Sequence, residues 1–192
     1  MFNLARNGRF FPTSILTLML GLLVFNSCGG HVGHITQTEE PDRYVRVEAQ
    51  PGGERVGENS FSHPVTLIPS DWVQILSLIR VKPRAVPPFS TTKTGPEPAF
   101  RQSELPYLAE RLADTFTKAG SRDWFVFYLG LPHETGATEI TSVAFFVEAT
   151  RIHLLFANFR HLVTIPAVAR QLKENPLHAA GALVYEVYQA DR

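Results

Sequence analysis

The chain predicts an α+β fold: a mainly antiparallel sheet of about four strands with two or three packed helices. Three observations lead there. Residues 104–119 carry the 3.6-residue apolar period of an amphipathic helix. Residues 124–129 are apolar on both parities, as in a strand covered on both faces. Residues 139–161 alternate like the two arms of a hairpin. Strands that pair with sequence neighbours, interleaved with a few helices, pack as segregated layers.

Each element has a local cause. Tyr44-Val45-Arg46-Val47-Glu48 alternates as a short strand inside an otherwise glycine-punctuated stretch. Residues 70–80 predict a first helix, with Ser70 as N-cap, Asp71 in the first turn, and Trp72, Ile75, Leu76 and Ile79 as its stripe. Five prolines between Pro83 and Phe100 predict a loop. The helix at 104–119 has Ser103 as cap, Leu105, Leu108, Leu112 and Phe116 as stripe, and Gly120 as the residue that ends it. Trp124–Leu129 is the central strand, stopped by Gly130 and Pro132. Thr164 caps a third helix over 165–174, which Asn175-Pro176 ends. Residues 182–188 close as a strand.

The hairpin has an arguable register. With its turn centred on Ala149-Thr150, Val147 opposes Ile152, Phe145 opposes Leu154, and Val143 opposes Phe156. The other face then pairs Phe146 with His153, Ala144 with Leu155, Ser142 with Ala157, and Ile140 with Phe159, and His161 continues it. Glu148 falls opposite Arg151, a favourable pair. Ala-Thr is weak chemistry for a two-residue turn, which favours a four-residue loop in the same register. The second face is semi-apolar. Small Ser142, Ala144 and Ala157 suit close approach by a covering helix, a ligand or a partner.

Composition removes whole classes of function. The chain has 192 residues, 18 Lys+Arg against 18 Asp+Glu, and one Cys. A zero formal charge excludes a strongly basic nucleic-acid binder. One cysteine excludes an internal disulfide framework and a multi-cysteine zinc site. No Walker loop, GxSxG elbow, HExxH helix, GxGxxG fingerprint or EF-hand loop is present. The expectation is therefore no catalytic residue, no metal and no cofactor. Histidine remains the main candidate for chemistry, at His133-Glu134 after the central strand and at His153. His31 and His34 lie three residues apart in a glycine-rich stretch, too few ligands for a structural zinc.

Residues 1–27 have the layout of a secretory signal. Arg6 and Arg9 precede an eleven-residue apolar run, Ile15 to Phe25, and small residues come after it. A spanning helix needs about 20 apolar residues. The sole cysteine stands in the cleavage zone, in Phe25-Asn26-Ser27-Cys28. Over residues 1–28 the chain resembles bacterial lipoprotein precursors, departing at Phe25 and Asn26 from the usual lipobox residues. The resemblance implies cleavage before Cys28 and lipid on its sulfur and amine, which supplies the multiple chains that stable anchoring needs. Gly29 after the cysteine implies sorting to the outer membrane, facing the periplasm. Cleavage removes two arginines and no acid, leaving 16 basic against 18 acidic side chains. No basic patch assists the anchor.

The expected organisation is thus a signal peptide (1–27), lipidated Cys28 with a flexible tether (28–62), and one α+β domain (63–192) with a Pro-rich loop at 83–100. The expected role is a membrane-tethered envelope lipoprotein whose domain binds a protein partner without catalysis. The candidate face is Ile140, Ser142, Ala144, Phe146, His153, Leu155, Ala157, Phe159 and His161. Two alternatives stand beside it: carriage of an apolar ligand such as a lipid, and an envelope hydrolase using His133 or His153.

Overall fold

A strand that is apolar on both parities must be covered on both faces, and this one sets the layering. The computed structural model describes residues 35–49, 61–62, 65–83, 95–181 and 185–189, all within the unit Gly33–Arg192. The fold is α+β. Strand β5 (Asp123–Pro132) lies at the centre of a five-stranded antiparallel sheet of order β1-β2-β5-β6-β7. The others are β1 (Ile35–Glu40), β2 (Arg43–Ala49), β6 (Thr138–Glu148) and β7 (Arg151–Val163). A second antiparallel sheet has the order β4-β3-β8, from β3 (Ile79–Pro83), β4 (Glu97–Pro98) and β8 (Tyr185–Gln189). Helices α1 (Pro69–Ser77), α2 (Leu105–Phe116) and α3 (Pro166–Glu174) complete the order.

One face of the large sheet carries the main core. Phe125 and Phe145 are direct cross-strand partners, with ring centroids 5.1 Å apart. Phe116 of α2 stacks on Phe125 at 3.8 Å, and Trp72 of α1 meets Phe116 at 4.8 Å. All four rings are buried. Each contributes roughly 1.5–3 kcal/mol by burial, and each ring pair about 0.5–1.5 kcal/mol more. The α2 stripe Leu105, Leu108, Leu112 and Phe116 faces this core as its spacing predicts. The small sheet joins the same layer beside β7, where Phe100 meets Phe127 and Phe156, and Tyr185 meets Phe156 and Phe159.

The α+β class and the mainly antiparallel sheet are as expected, with five strands in the large sheet and a second sheet in addition. Several other expectations need correction. Residues 35–49, placed in the tether, form the β1–β2 hairpin, and β2 pairs with β5 from Arg43↔Leu129 to Ala49↔Asp123. Tyr44, Val45 and Val47 are buried, so tertiary pairing outweighs the polar, glycine-rich context. The Pro-rich stretch also gives β4, and Ala99 and Phe100 enter the core. Helix α1 stops at Ser77 because Ile79 and Val81 alternate with Arg80 and Lys82 and are buried as strand residues. No described helix uses a serine or threonine N-cap. Ile68, Glu104 and Ile165 hold those positions, each with a proline at N1 or N2 whose missing N–H needs no partner there. The Glu104 carboxylate accepts the Arg101 N–H at 2.7 Å. Gly120 is no helix terminator: α2 ends at Phe116, and the Gly120 N–H donates to Asp123 Oδ2 at the entry to β5. Residues 1–34, 50–60, 63–64, 84–94, 182–184 and 190–192 lie outside the described residues, and with them the signal segment, Cys28, His31 and His34.

The aromatic stack gives a direct test. Phe116→Ala should lower the free energy of unfolding by about 3–5 kcal/mol, whereas Leu155→Ala, at a side chain 47% exposed, should cost under about 1 kcal/mol. Urea denaturation of the two variants measures both.

Candidate functional site

The β6–β7 register decides where the candidate face goes. From Glu148↔Arg151 to Val143↔Phe156 the pairing is the one the alternation predicts. The loop has two residues rather than four, and Ala149 takes φ 52° at its first position, the strain expected of a non-glycine there. Beyond Phe156 the strand departs. Ser142 pairs with Asn158 and Ile140 with His161, so β7 gains one extra residue before Asn158 and another before His161. The second bulge puts Arg160 at φ 45°. Its N–H donates to Thr141 Oγ1, and its guanidinium pairs with Glu97 and donates to the Pro98 carbonyl.

Each bulge flips the face of the residues beyond it. Phe159, predicted beside Ile140, instead packs with Phe156 and Tyr185 on the opposite face. Asn158 takes the place read for Ala157 opposite Ser142, and two flips return His161 to the second face.

Helix α3 and the segment after it cover much of the second face. The Tyr44 hydroxyl donates to the Lys173 carbonyl, and Tyr44 stacks on Tyr128 at 5.6 Å. Ser142 Oγ donates to the Pro176 carbonyl at 2.6 Å. Asn158 Nδ2 donates to Ser142 Oγ and the His178 carbonyl, and its Oδ1 accepts the Ala180 N–H, each at 2.8 Å. Asn158 therefore acts as a clasp, satisfying backbone groups that have no secondary-structure partner. Ile140 and Ser142 are buried beneath this cover, and Ala144 is buried as well. His161 lines a small concavity of about 170 Å3 with Val163, Val168 and Ala180.

The rest of the face stays open near the hairpin. His153 stacks on Phe146 at 4.8 Å, and Phe61 covers the other part of Phe146 at 4.3 Å. Leu155 is exposed. His153 Nε2 lies 3.2 Å from Glu148 Oε2 without a hydrogen bond between them. His133 Nε2 is 3.9 Å from Glu139 Oε2, and that carboxylate is already paired with Arg101. Among the described residues, no group of three His, Cys, Asp or Glu side chains is placed to hold a metal. Each of these histidines thus has an acid nearby but no hydroxyl nucleophile bonded to it among the described residues, and neither arrangement assembles a relay.

A larger concavity lies elsewhere, between the start of β7 and the end of β8. It measures about 630 Å3, is open to solvent, and is lined by Ile152 and Leu154 of β7, Val187 and Tyr188 of β8, and Ile75 and Leu78 at the end of α1. Further along the same two strands the Tyr185 hydroxyl donates to the Phe156 carbonyl at 2.8 Å. Burial pushes the Tyr185 phenol up to about 12, and burial with the nearby Asp42 does the same to Tyr128. No local signal could mark this groove, because it forms where residues 150–154 meet residues 187–189. Comparison with family models, curated proteins and solved structures finds no match to the chain.

Two measurements test these contacts. Asn158→Ala should cost about 1–3 kcal/mol, since it leaves buried backbone groups unpaired, and should speed amide exchange across 166–181 more than in the β5–β6 core. In a tyrosinate absorbance titration, a fraction should ionise only near pH 12, and Tyr185→Phe should reduce that fraction. Linkage gives the sign. A phenol raised in the folded state favours folding fully below about pH 10, and loses that contribution as the pH rises from about 10 towards 12.

Proposed function

We propose that the protein is a lipid-tethered envelope lipoprotein whose folded unit binds a protein partner and performs no catalysis. In this reading the signal is cleaved before Cys28, lipid on Cys28 anchors the chain, and the outer membrane, on its periplasmic side, is its location. The lipobox-like Ser27-Cys28 at the end of an apolar run supports the anchor. No helix among the described residues is long and apolar enough to cross a membrane.

One observation carries the choice of binding over chemistry. The open 630 Å3 groove and the histidines with carboxylates nearby do not coincide into a reactive centre: the groove is mainly aliphatic and aromatic, and of the described histidines only His153 touches its rim. A concave apolar surface without convergent acid and base groups supports recognition rather than bond breaking. The second reading, carriage of an apolar ligand, draws on the same groove, whose volume falls within the range of small-molecule sites. Its open side and strand-edge walls favour a polypeptide over an enclosed lipid.

Mass spectrometry of the protein purified from its native membrane tests the anchor. The expected N-terminal peptide begins at acylated Cys28, and Cys28→Ser should abolish labelling by a palmitate analogue and release the protein from the membrane fraction. A retained Met1 or an unmodified Cys28 thiol would overturn the reading.

A further inference from the structure

The geometry points to a specific mode of recognition: the groove beside β7 takes up an extended strand of a partner protein, which pairs backbone to backbone with the outer edge of β7. This rests on the partner-binding reading above and names the chemistry of the partner.

The edge is the first observation. β7 pairs with β6 on one side, and β8 pairs with β3 on one side, so each ends its sheet among the described residues. The Phe156 carbonyl points away from β6, because it accepts the Tyr185 hydroxyl. In an antiparallel pair, backbone groups alternate inward and outward every residue. No bulge interrupts residues 151–156, so the N–H and C=O groups of Ile152 and Leu154 point outward as well. Both residues line the groove, and no described backbone group bonds to theirs on that side. Such a row of unpaired donors and acceptors is a template for another strand, and proteins commonly blunt it with bulges, prolines or covering segments. Here the bulges begin only after Phe156. At that point Tyr185 already supplies one of the bonds that a neighbouring strand would otherwise make.

The floor and the rim set the occupant. Thr150 to Leu154 present about 16 Å of edge, room for four or five extended residues. Ile75, Leu78, Ile152 and Leu154 form an apolar floor for alternate side chains of the incoming strand. Arg151 stands at the rim, exposed, and makes no ion pair among the described residues. His153 is its neighbour of the same parity. The partner segment is therefore an extended polypeptide with alternating apolar residues and an acidic residue placed beside Arg151. Backbone pairing would supply the affinity and these two features the selectivity.

A displayed library of random linear 12-residue peptides, selected on the full-length protein in detergent micelles, tests this. Sequences alternating apolar residues with Asp or Glu should be enriched. Synthetic copies should slow amide exchange at Ile152 and Leu154 by about tenfold or more, as strand pairing does. Val187→Arg, at an exposed position in the groove wall, should weaken binding by about tenfold or more without unfolding the chain. Arg151→Glu should shift the selected peptides towards Lys and Arg. Failure to enrich any sequence overturns the proposal, as do peptides that bind Val187→Arg equally well or leave the β7 amides unprotected. So does palmitate uptake in the groove that excludes the peptides, or concentration-dependent dimerisation that protects the β7 amides without peptide. None of these results bears on the acylation of Cys28, so a failed groove and a failed anchor are told apart.

Discussion

The fold depends on one cluster of rings. Phe116, Phe125, Phe145 and Trp72 join two helices to the two central strands, and each ring is buried. Stacking at 3.8 Å between α2 and β5 fixes the height of the helix above the sheet. Once that layer is set, α1 must lie beside α2, and the chain leaving α1 runs directly into β3. The small sheet, and with it the far wall of the groove, is positioned as a consequence of this packing. Interiors packed at this density transmit such constraints because they have few alternative arrangements.

The two faces of the large sheet reach closure by different chemistry. The first is sealed by apolar contact with α1, α2 and the small sheet. The second has a smaller apolar cluster, Tyr44, Tyr128, Ile140, Val163 and Leu172, and relies on side chains that bond to the carbonyls of the covering segment. Asn158 is central to that arrangement, and it occupies its place only because a bulge has moved it there. The strained backbone of Arg160 belongs to the same device, because the second bulge restores the original facing, two residues out of register, and sends a guanidinium to Glu97 and Pro98. Local strain of this kind persists where surrounding bonds over-determine it.

The groove is a by-product of two sheets that share a core without sharing an edge. β7 and β8 touch at Phe156 and Tyr185 and diverge towards the hairpin. The wedge between them combines an apolar floor with backbone that is unpaired among the described residues. The proposed anchor at Cys28 and the outer edge of β7, unpaired among the described residues, belong to one reading, in which the chain would hold a partner near a bilayer.

The sequence alone determined the features that local periodicity encodes. The α2 stripe, the doubly apolar β5, the β6–β7 register from Val143 to Glu148, and the α+β class all rest on spacing within a few residues. Local chemistry misled where a longer-range partner prevailed. Tyr44–Val47 looked like a strand in a tether because nothing nearby announces β5 some eighty residues later. Ile79 fits both a helical stripe and a two-residue alternation, and burial in the shared core selected the strand. Only the tertiary structure decided the bulges, the crossing of Phe159 to the other face, and the groove. Each depends on which carbonyl or ring waits across the fold, and no spacing along the chain encodes that distance.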